Sequence, residues 1–305
     1  MRISAILGVK DEIELVAACV AHLRAIGVDL IIAIDSGSTD GSLEWLRQHE
    51  SSSGLWLVEH DDQNPESEAL WYRLAEDLAR SAQTDWVIFL DADEFWMPAS
   101  GSLRATAGLD GLDVLQVARF NVPLDGYGLL TDTRGPPCGL CEVELIVEAI
   151  PDFRGYLERF PNTPWIRGVP MPKIMVRPEC IGELDAGTHD VHGADGMPLR
   201  RSRPVDLLIA HLPFTTEQRM RRKVANIQRF FAAHAELLRA QPQFGWHWQR
   251  WLALTDEDAI RREFERQVFD AATLAEHRLS GVVRRSSAVF SEWSQRAELV
   301  DEGGA

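Results

Sequence analysis

Apolar and polar residues fall in alternating blocks along the first hundred positions. Residues 3–9 (ISAILGV) are a short apolar run, which predicts a strand buried on both faces. In DEIELVAACVAHLRAIG, residues 11–27, Ile13, Val16, Ala17, Val20 and Leu23 recur at helical spacing, and Gly27 is the stop. LIIAID (30–35) predicts a second strand, SGSTDGS a polar turn, SLEWLRQH a second helix and LWLVEH (55–60) a third strand. Residues 66–82 predict a third helix, and DWVIFLD a fourth strand with Trp86 to Leu90 as its apolar run. Strands alternating with helices in this way predict an α/β fold with a mostly parallel sheet covered on both faces. In open sheets of this kind ligands bind beyond the carboxyl ends of the strands. Val9, Asp35, His60 and Asp91 all lie near those ends, so the groups that follow them are expected to converge on one crevice.

The pattern changes after residue 98. Residues 113–120 predict another strand, and 121–170 are rich in Pro, Gly and aromatic residues with no clear period. KIMVRP (173–178) and VDLLIAHL (205–212) read as later strands. From Thr215 the chain turns helical, with a capping Thr and an apolar stripe through Met220, Val224, Ile227 and Phe231. Residues 256–279 predict one more helix, followed by a frayed tail. Trp246, Trp248 and Trp251 are apolar enough to pack on a partner or on the core.

Composition narrows the function. The 305 residues allow one large domain or a domain with an appendage. A formal net charge of -16 argues against non-specific binding to nucleic acid or to an anionic membrane. A phosphorylated ligand would therefore be held locally, by a metal, by helix N-termini or by a few placed Arg and Lys. No apolar run approaches ~18 residues, so no membrane-spanning segment is expected. The start, MRISAILGVKDE, is too short and too soon charged for a signal peptide. Four cysteines make no disulfide framework, and the lone Cys138-x-x-Cys141 pair reads as loop thiols rather than zinc ligands. A reducing, cytoplasmic setting is the resulting expectation.

The fourth strand ends in three acids, Asp91, Asp93 and Glu94. Carboxylates this close repel one another unless positive charge lies between them. A hard divalent cation is the obvious candidate, because oxygen-rich sites suit magnesium or manganese. LGVKDE (7–12), IIAIDSGSTDGS (31–42) and DWVIFLDADEFW (85–96) together resemble glycosyltransferase family 2, in the branch whose metal motif reads DxDEF. KIMVRP, GTHDVHG (187–193) and LIAHLPFTTEQRMRRKV (208–224) extend the resemblance to the second half.

The resemblance implies a GT-A fold. Residues 1–212 would form the catalytic domain, with 1–98 as its nucleotide-binding half and 99–212 as its acceptor half, and 213–305 a helical extension. It implies transfer of a sugar from a nucleotide-diphosphate sugar, a UDP-sugar first of all, to an acceptor hydroxyl, with inversion and with Mn2+ or Mg2+ as cofactor. A cation bridging the two phosphates would neutralise the charge gained by the leaving group. By the resemblance Asp93 and Asp91 are the metal carboxylates, Asp93 foremost, Asp91 also reaches the sugar or ribose, and Glu94 either orients a neighbour or faces water. Asp35 would accept from a base N–H, with Ser36, Gly37 and Ser38 turning the backbone beside the nucleotide. Lys10, Glu12 and Arg73 are candidates to line the nucleotide pocket, and Lys173 and Arg177 to contact the diphosphate or tie down their strand. His211 and His189 are the candidates for a third metal ligand, His211 being favoured. An inverting reaction needs a base, and Asp190, Glu142 and Glu144 are the candidates. Arg219, Arg221, Arg222 and Lys223 either gather an anion or form an exposed helix face, the second being the simpler reading. Two other classes stay open: another metal-dependent nucleotide-sugar enzyme (a hydrolase or a nucleotidyltransferase), and a non-catalytic nucleotide- or sugar-binding protein. A nucleotidyltransferase would carry a Gly-rich basic loop after the first strand, where this chain has only Gly8 and Lys10.

Overall fold

The computed structural model describes residues 1–50, 54–60, 65–125, 143–148, 150, 152–240 and 245–302. Cys138, Cys141 and Glu142 lie outside the described residues. In chain order the central elements are β1 (Ile3–Val9), α1 (Val16–Ala25), β2 (Leu30–Asp35), α2 (Ser42–His49), β3 (Leu55–Glu59), α3 (Pro65–Ser81) and β4 (Trp86–Asp91). They continue with β5 (Glu94–Pro98), β6 (Val114–Asn121), β7 (Lys173–Val176) and β8 (Leu207–His211). The later helices used below are α4 (Glu217–Ala233), α5 (Glu257–Gln267), α6 (Ala271–Ser280) and α7 (Ser286–Glu302).

The sheet runs β3-β2-β1-β4-β7-β6-β8-β5, with the short strand Arg201–Ser202 beside β6. β1 to β4 are parallel, β7 and β5 are antiparallel to their neighbours, and β6 and β8 run parallel. This is the mainly parallel α/β sheet anticipated above. Alternation along each strand separates the two faces. Ile3, Ala5 and Leu7 pack with Val16, Cys19, Val20 and Leu23 of α1, whereas Ile6, Ile32 and Phe89 pack with Ala75 and Ala79 of α3. Burial on both faces is why these strands read as unbroken apolar runs.

Three expectations are corrected. α1 begins at Val16, not near residue 11: Asp11 has φ 56, and the Glu12 carbonyl accepts from Leu15 and Val16 in a turn that precedes the helix. The single helix expected over 256–279 is two helices, α5 and α6, because Val268–Phe269 leaves helical geometry to pair with Leu124–Asp125. The expected frayed tail is α7, with Val289 buried in the core and Phe290 and Trp293 packed on it. EFWMP, unassigned from the pattern, forms β5, the edge strand against β8.

The C-terminal helices share a core with earlier segments. Met220, Val224 and Phe231 of α4 pack with Leu124, Ile146, Ile166, Trp251 and Phe269. Trp251 is fully buried there and Trp248 is packed against it, so both aromatics are used inside this chain. Among the described residues no helix is long and apolar enough to cross a membrane.

Phe89 is fully buried in the middle of the sheet. Phe89→Ala is expected to lower unfolding free energy by about 3–5 kcal/mol in a urea titration, whereas Leu279→Ala, at an exposed position of α6, is expected to leave the midpoint unchanged.

Candidate active site

Parallel register brings Val9, Asp35 and Glu59 level with one another, and Gly8 level with Asp91. The carboxyl ends of β1 to β4 thus form a lip. A side chain at Gly8 would meet Asp91 Oδ1 at 3.2 Å, so glycine there lets the Asp91 carboxylate lie over β1.

Of the three motif acids only Asp91 is exposed; Asp93 and Glu94 are buried. Glu94 is clasped from both sides, by Arg119 and by Lys173 at 3.6 Å, and it accepts from the Asp91 amide at 3.1 Å. Lys173 Nζ also donates to Asp91 Oδ2 (3.1 Å) and to the Gly187 carbonyl (3.0 Å). Burial alone would lower the Lys173 pKa, but Asp91 and Glu94 outweigh it and hold the amine above the ordinary lysine value. Burial pushes the Glu94 carboxyl up, against the pull of Lys173 and Arg119.

Asp93 faces α4. Its Oδ2 accepts from Arg219 and from Lys223, each at 2.9 Å. Burial would raise its pKa, yet Lys223, with Arg219 beside it, holds the carboxyl well below the usual range. Arg219 is saturated. Its Nε and Nη2 grip Glu12 at 2.7 Å each, Nη2 also reaches Asp93, and Nη1 donates to the Leu212 and Pro213 carbonyls at 2.8 and 2.9 Å. α4 therefore does not present its basic cluster to water as the simpler reading had it. Arg219 and Lys223 turn in to the acids, Arg222 binds Glu14, and Arg221 alone stays with its helix partner Glu217 and with Glu257.

β5 and β8 pair antiparallel with Glu94 opposite His211, and β8 and β6 pair with His211 opposite Asn121. Glu94, His211 and Asn121 therefore form one row across three strands. The Asn121 amide nitrogen donates to the Ile166 and Gly168 carbonyls, at 2.9 and 2.8 Å, which leaves its Oδ1 to accept. His211 Nδ1 lies 2.7 Å from that oxygen and must carry the proton. The Nε2 lone pair then faces Asp93 Oδ1 at 3.7 Å. Burial keeps this imidazole neutral by pushing its pKa well down. A buried histidine lone pair set against a carboxylate, with its other nitrogen fixed by an amide, is the donor arrangement metals use. Asp93, Glu94 and His211 offer ligand atoms all within 4.8 Å of one another, and this chemistry fits a divalent cation.

The other candidates divide. Asp35 Oδ1 accepts from the Ser38 amide at 2.8 Å, while its Oδ2 is buried without a partner among the described residues. Burial raises the Asp35 pKa. Lys10 Nζ donates to the Ser36 carbonyl (2.5 Å) and the Gly37 carbonyl (3.0 Å), tying the β1 end to the β2 turn. Glu12 belongs to Arg219, as above, and Arg73 is exposed on α3. Arg177 fastens the Leu109 and Leu112 carbonyls and lies over the Trp86 ring at 4.7 Å. His189 Nδ1 donates to the Pro172 carbonyl at 2.9 Å, beside Lys173 rather than in the His211 row. Asp190 pairs with Arg201 and accepts from the Val191 amide. Glu144 is held at 2.7 Å by both Nε and Nη2 of Arg278, on the ribbon that 144–146 makes with 283–285. Asn121, Arg119 and the inward turn of Arg219 were missed from sequence. Asn121 and Arg119 sit in an apolar strand run, and only the strand register reveals their neighbours.

The family model described as Glycosyl transferase family 2 matches residues 4–164. No curated protein matches the chain. Among solved structures, S. aureus TarS 1–349 in complex with UDP-GlcNAc is similar at 14% identity, with a TM-score of 0.39, over 87% of this chain and 73% of that one. Glucosyl-3-phosphoglycerate synthase from Mycobacterium tuberculosis, in complex with Mn2+, UDP and glucosyl-3-phosphoglycerate, is similar at 18% identity, with a TM-score of 0.34, over 76% of this chain and 79% of that one.

Arg219→Met leaves the buried Asp93 and the part-buried Glu12 beside one fewer cation, and is expected to cost about 3–5 kcal/mol in urea unfolding. Arg221→Met on the outer face of the same helix is expected to leave the midpoint near wild type. A second expectation concerns pH. Burial, with Lys173 adding to it, lowers His189 from 6.5 to about 4. The unfolded chain therefore binds the proton more readily in that window, and this contribution to stability is lost as pH falls from 6.5 towards 4. Urea midpoints across that range are expected to fall less steeply for His189→Asn than for wild type.

Proposed function

Because the chain belongs to glycosyl transferase family 2, we propose that it moves a sugar from a nucleotide-diphosphate sugar, in the first place a UDP-sugar, to an acceptor hydroxyl with inversion. The observation that carries this reading is Asp35 Oδ2, a buried acceptor at the sheet lip with no partner among the described residues. A buried polar atom left unpaired is costly, and a base N–H from a bound nucleotide would satisfy it. The half-exposed Asp91 lies on the same lip and would meet the sugar or ribose.

Asp93, Glu94 and His211 would hold Mn2+ or Mg2+. The cation, when bound, supplies neutralisation of the departing diphosphate. Everything else falls to the chain. Asn121 keeps the His211 proton on Nδ1, so Nε2 is always a donor of electrons. Lys173 orients Asp91 through the same amine that satisfies Glu94, and so acts as a positioning residue rather than as a diphosphate ligand. Lys10 fixes the turn after Asp35.

For the base, Asp190 is preferred to Glu144. Asp190 is two residues from Thr188, whose hydroxyl lies 3.4 Å from Lys173 Nζ, whereas Glu144 is committed to Arg278 on the C-terminal ribbon. Burial would raise the Asp190 pKa, but the Val191 amide and Arg201 outweigh it, so the carboxylate is ionised and can accept a proton once Arg201 yields.

Asp35→Ala is expected to raise the KM for the nucleotide sugar more than it lowers kcat, read from turnover across a panel of nucleotide sugars with and without manganese. A fall in kcat with KM unchanged would remove Asp35 from the donor pocket.

A further inference from the structure

Among the described residues, four carboxylates at the β4–β5 side of the lip are drawn into one ion-paired cluster: Glu12, Asp91, Asp93 and Glu94. Four cations meet them: Arg119, Lys173, Arg219 and Lys223. The cluster is neutral on the chain's own charges. A divalent cation entering it would bring two surplus positive charges into a buried site, a strongly unfavourable excess that withdrawal of one resident cation would halve. The four cations are not equally able to leave. The Lys173 and Arg219 side chains are 2% exposed and Arg119 is 10% exposed, while Lys223 is 28% exposed. Arg219 is also held by two carboxylates and two carbonyls, whereas among the described residues Lys223 has Asp93 at 2.9 Å and a long contact, 3.4 Å, to the Pro213 carbonyl. A lysine is a point charge on a flexible stem, and this one has a path to water.

We propose that Lys223 is the resident cation that a divalent metal displaces from Asp93, so that this one side chain sets the metal affinity of the site. The inference rests on the metal reading given above. Arg219 stays in place and keeps Asp93 aimed, and Lys223 swings outward from the same face of α4, one turn further on. Withdrawal of Lys223 releases Asp93 beside the His211 Nε2 lone pair, where the carboxylate and the imidazole can share one cation. Outside the site, Lys223 keeps its charge near the lip, where a diphosphate would come to lie.

The test is binding of Mn2+ alone, followed by the electron paramagnetic resonance signal of free Mn2+ in titrations of the full chain. Lys223→Met is expected to bind Mn2+ about tenfold more tightly than wild type, within the range of a typical coupling between two sites. Lys223→Arg, which keeps the charge, is expected to bind close to wild type or more weakly. Should the Met variant fail to fold, Lys223→Gln takes its place with the same expectation. Wild type that binds Mn2+ together with a neutral variant that binds no more tightly overturns the displacement proposal and leaves the metal reading standing. Absence of Mn2+ binding in both wild type and the neutral variant overturns both.

Discussion

The structure depends on burying carboxylates at the end of a sheet. An isolated buried carboxylate is expensive, and a row of them more so, and the clustered acids Glu12, Asp93 and Glu94 are matched by cations. The chain supplies those cations from three places: β6 with Arg119, β7 with Lys173, and α4 with Arg219 and Lys223. Long-range closure of the fold is therefore tied to the chemistry of the site. Removing the acids would leave buried cations, and moving α4 would leave buried acids.

The same logic explains the contact between the first turn of the chain's α/β half and its helical end. Asp11, Glu12 and Glu14, ahead of helix α1, turn their side chains to α4 and the residues that lead into it: Asp11 to Asn226, Glu12 to Arg219 and Glu14 to Arg222 and the hydroxyls of Thr215 and Thr216. The positive φ at Asp11 aims this segment, and Asp11 Oδ1 in turn accepts from the Thr39 amide beside the β2 turn. One short loop thus connects the β2 turn, the acid cluster and the basic helix. This chain of contacts keeps the β2 turn in register with the acid cluster.

Strand register does the finer work. Glu94, His211 and Asn121 are separated by up to 117 positions in sequence, yet they stand side by side because β5 pairs with β8 and β8 with β6. Asn121 then decides the His211 tautomer from a distance of 2.7 Å. Thr188, a β-branched residue at φ 56, lies against Lys173 on the other side of the lip. Such a conformation is costly for threonine and persists where its surroundings dictate it; here those surroundings are a buried amine and the Gly187 carbonyl.

Local pattern in the sequence was enough to read the four parallel strands, the helices between them and the lip where Asp35 and Asp91 lie, because a strand buried on two faces must be written as a continuous apolar run and a helix as a periodic one. It also marked Asp93 and His211, since polar residues that end such runs stand out. It did not determine what neutralises the acids. Repulsion among Asp91, Asp93 and Glu94 demands positive charge but does not say whose, and the tertiary structure assigned that charge to Arg119, Lys173, Arg219 and Lys223. Basic residues on a helix look the same in sequence whether they face water or a buried carboxylate. The break at Val268–Phe269, the helix α7 and the row Glu94–His211–Asn121 were likewise decided only by pairing between distant segments, which carries no local signal in the chain.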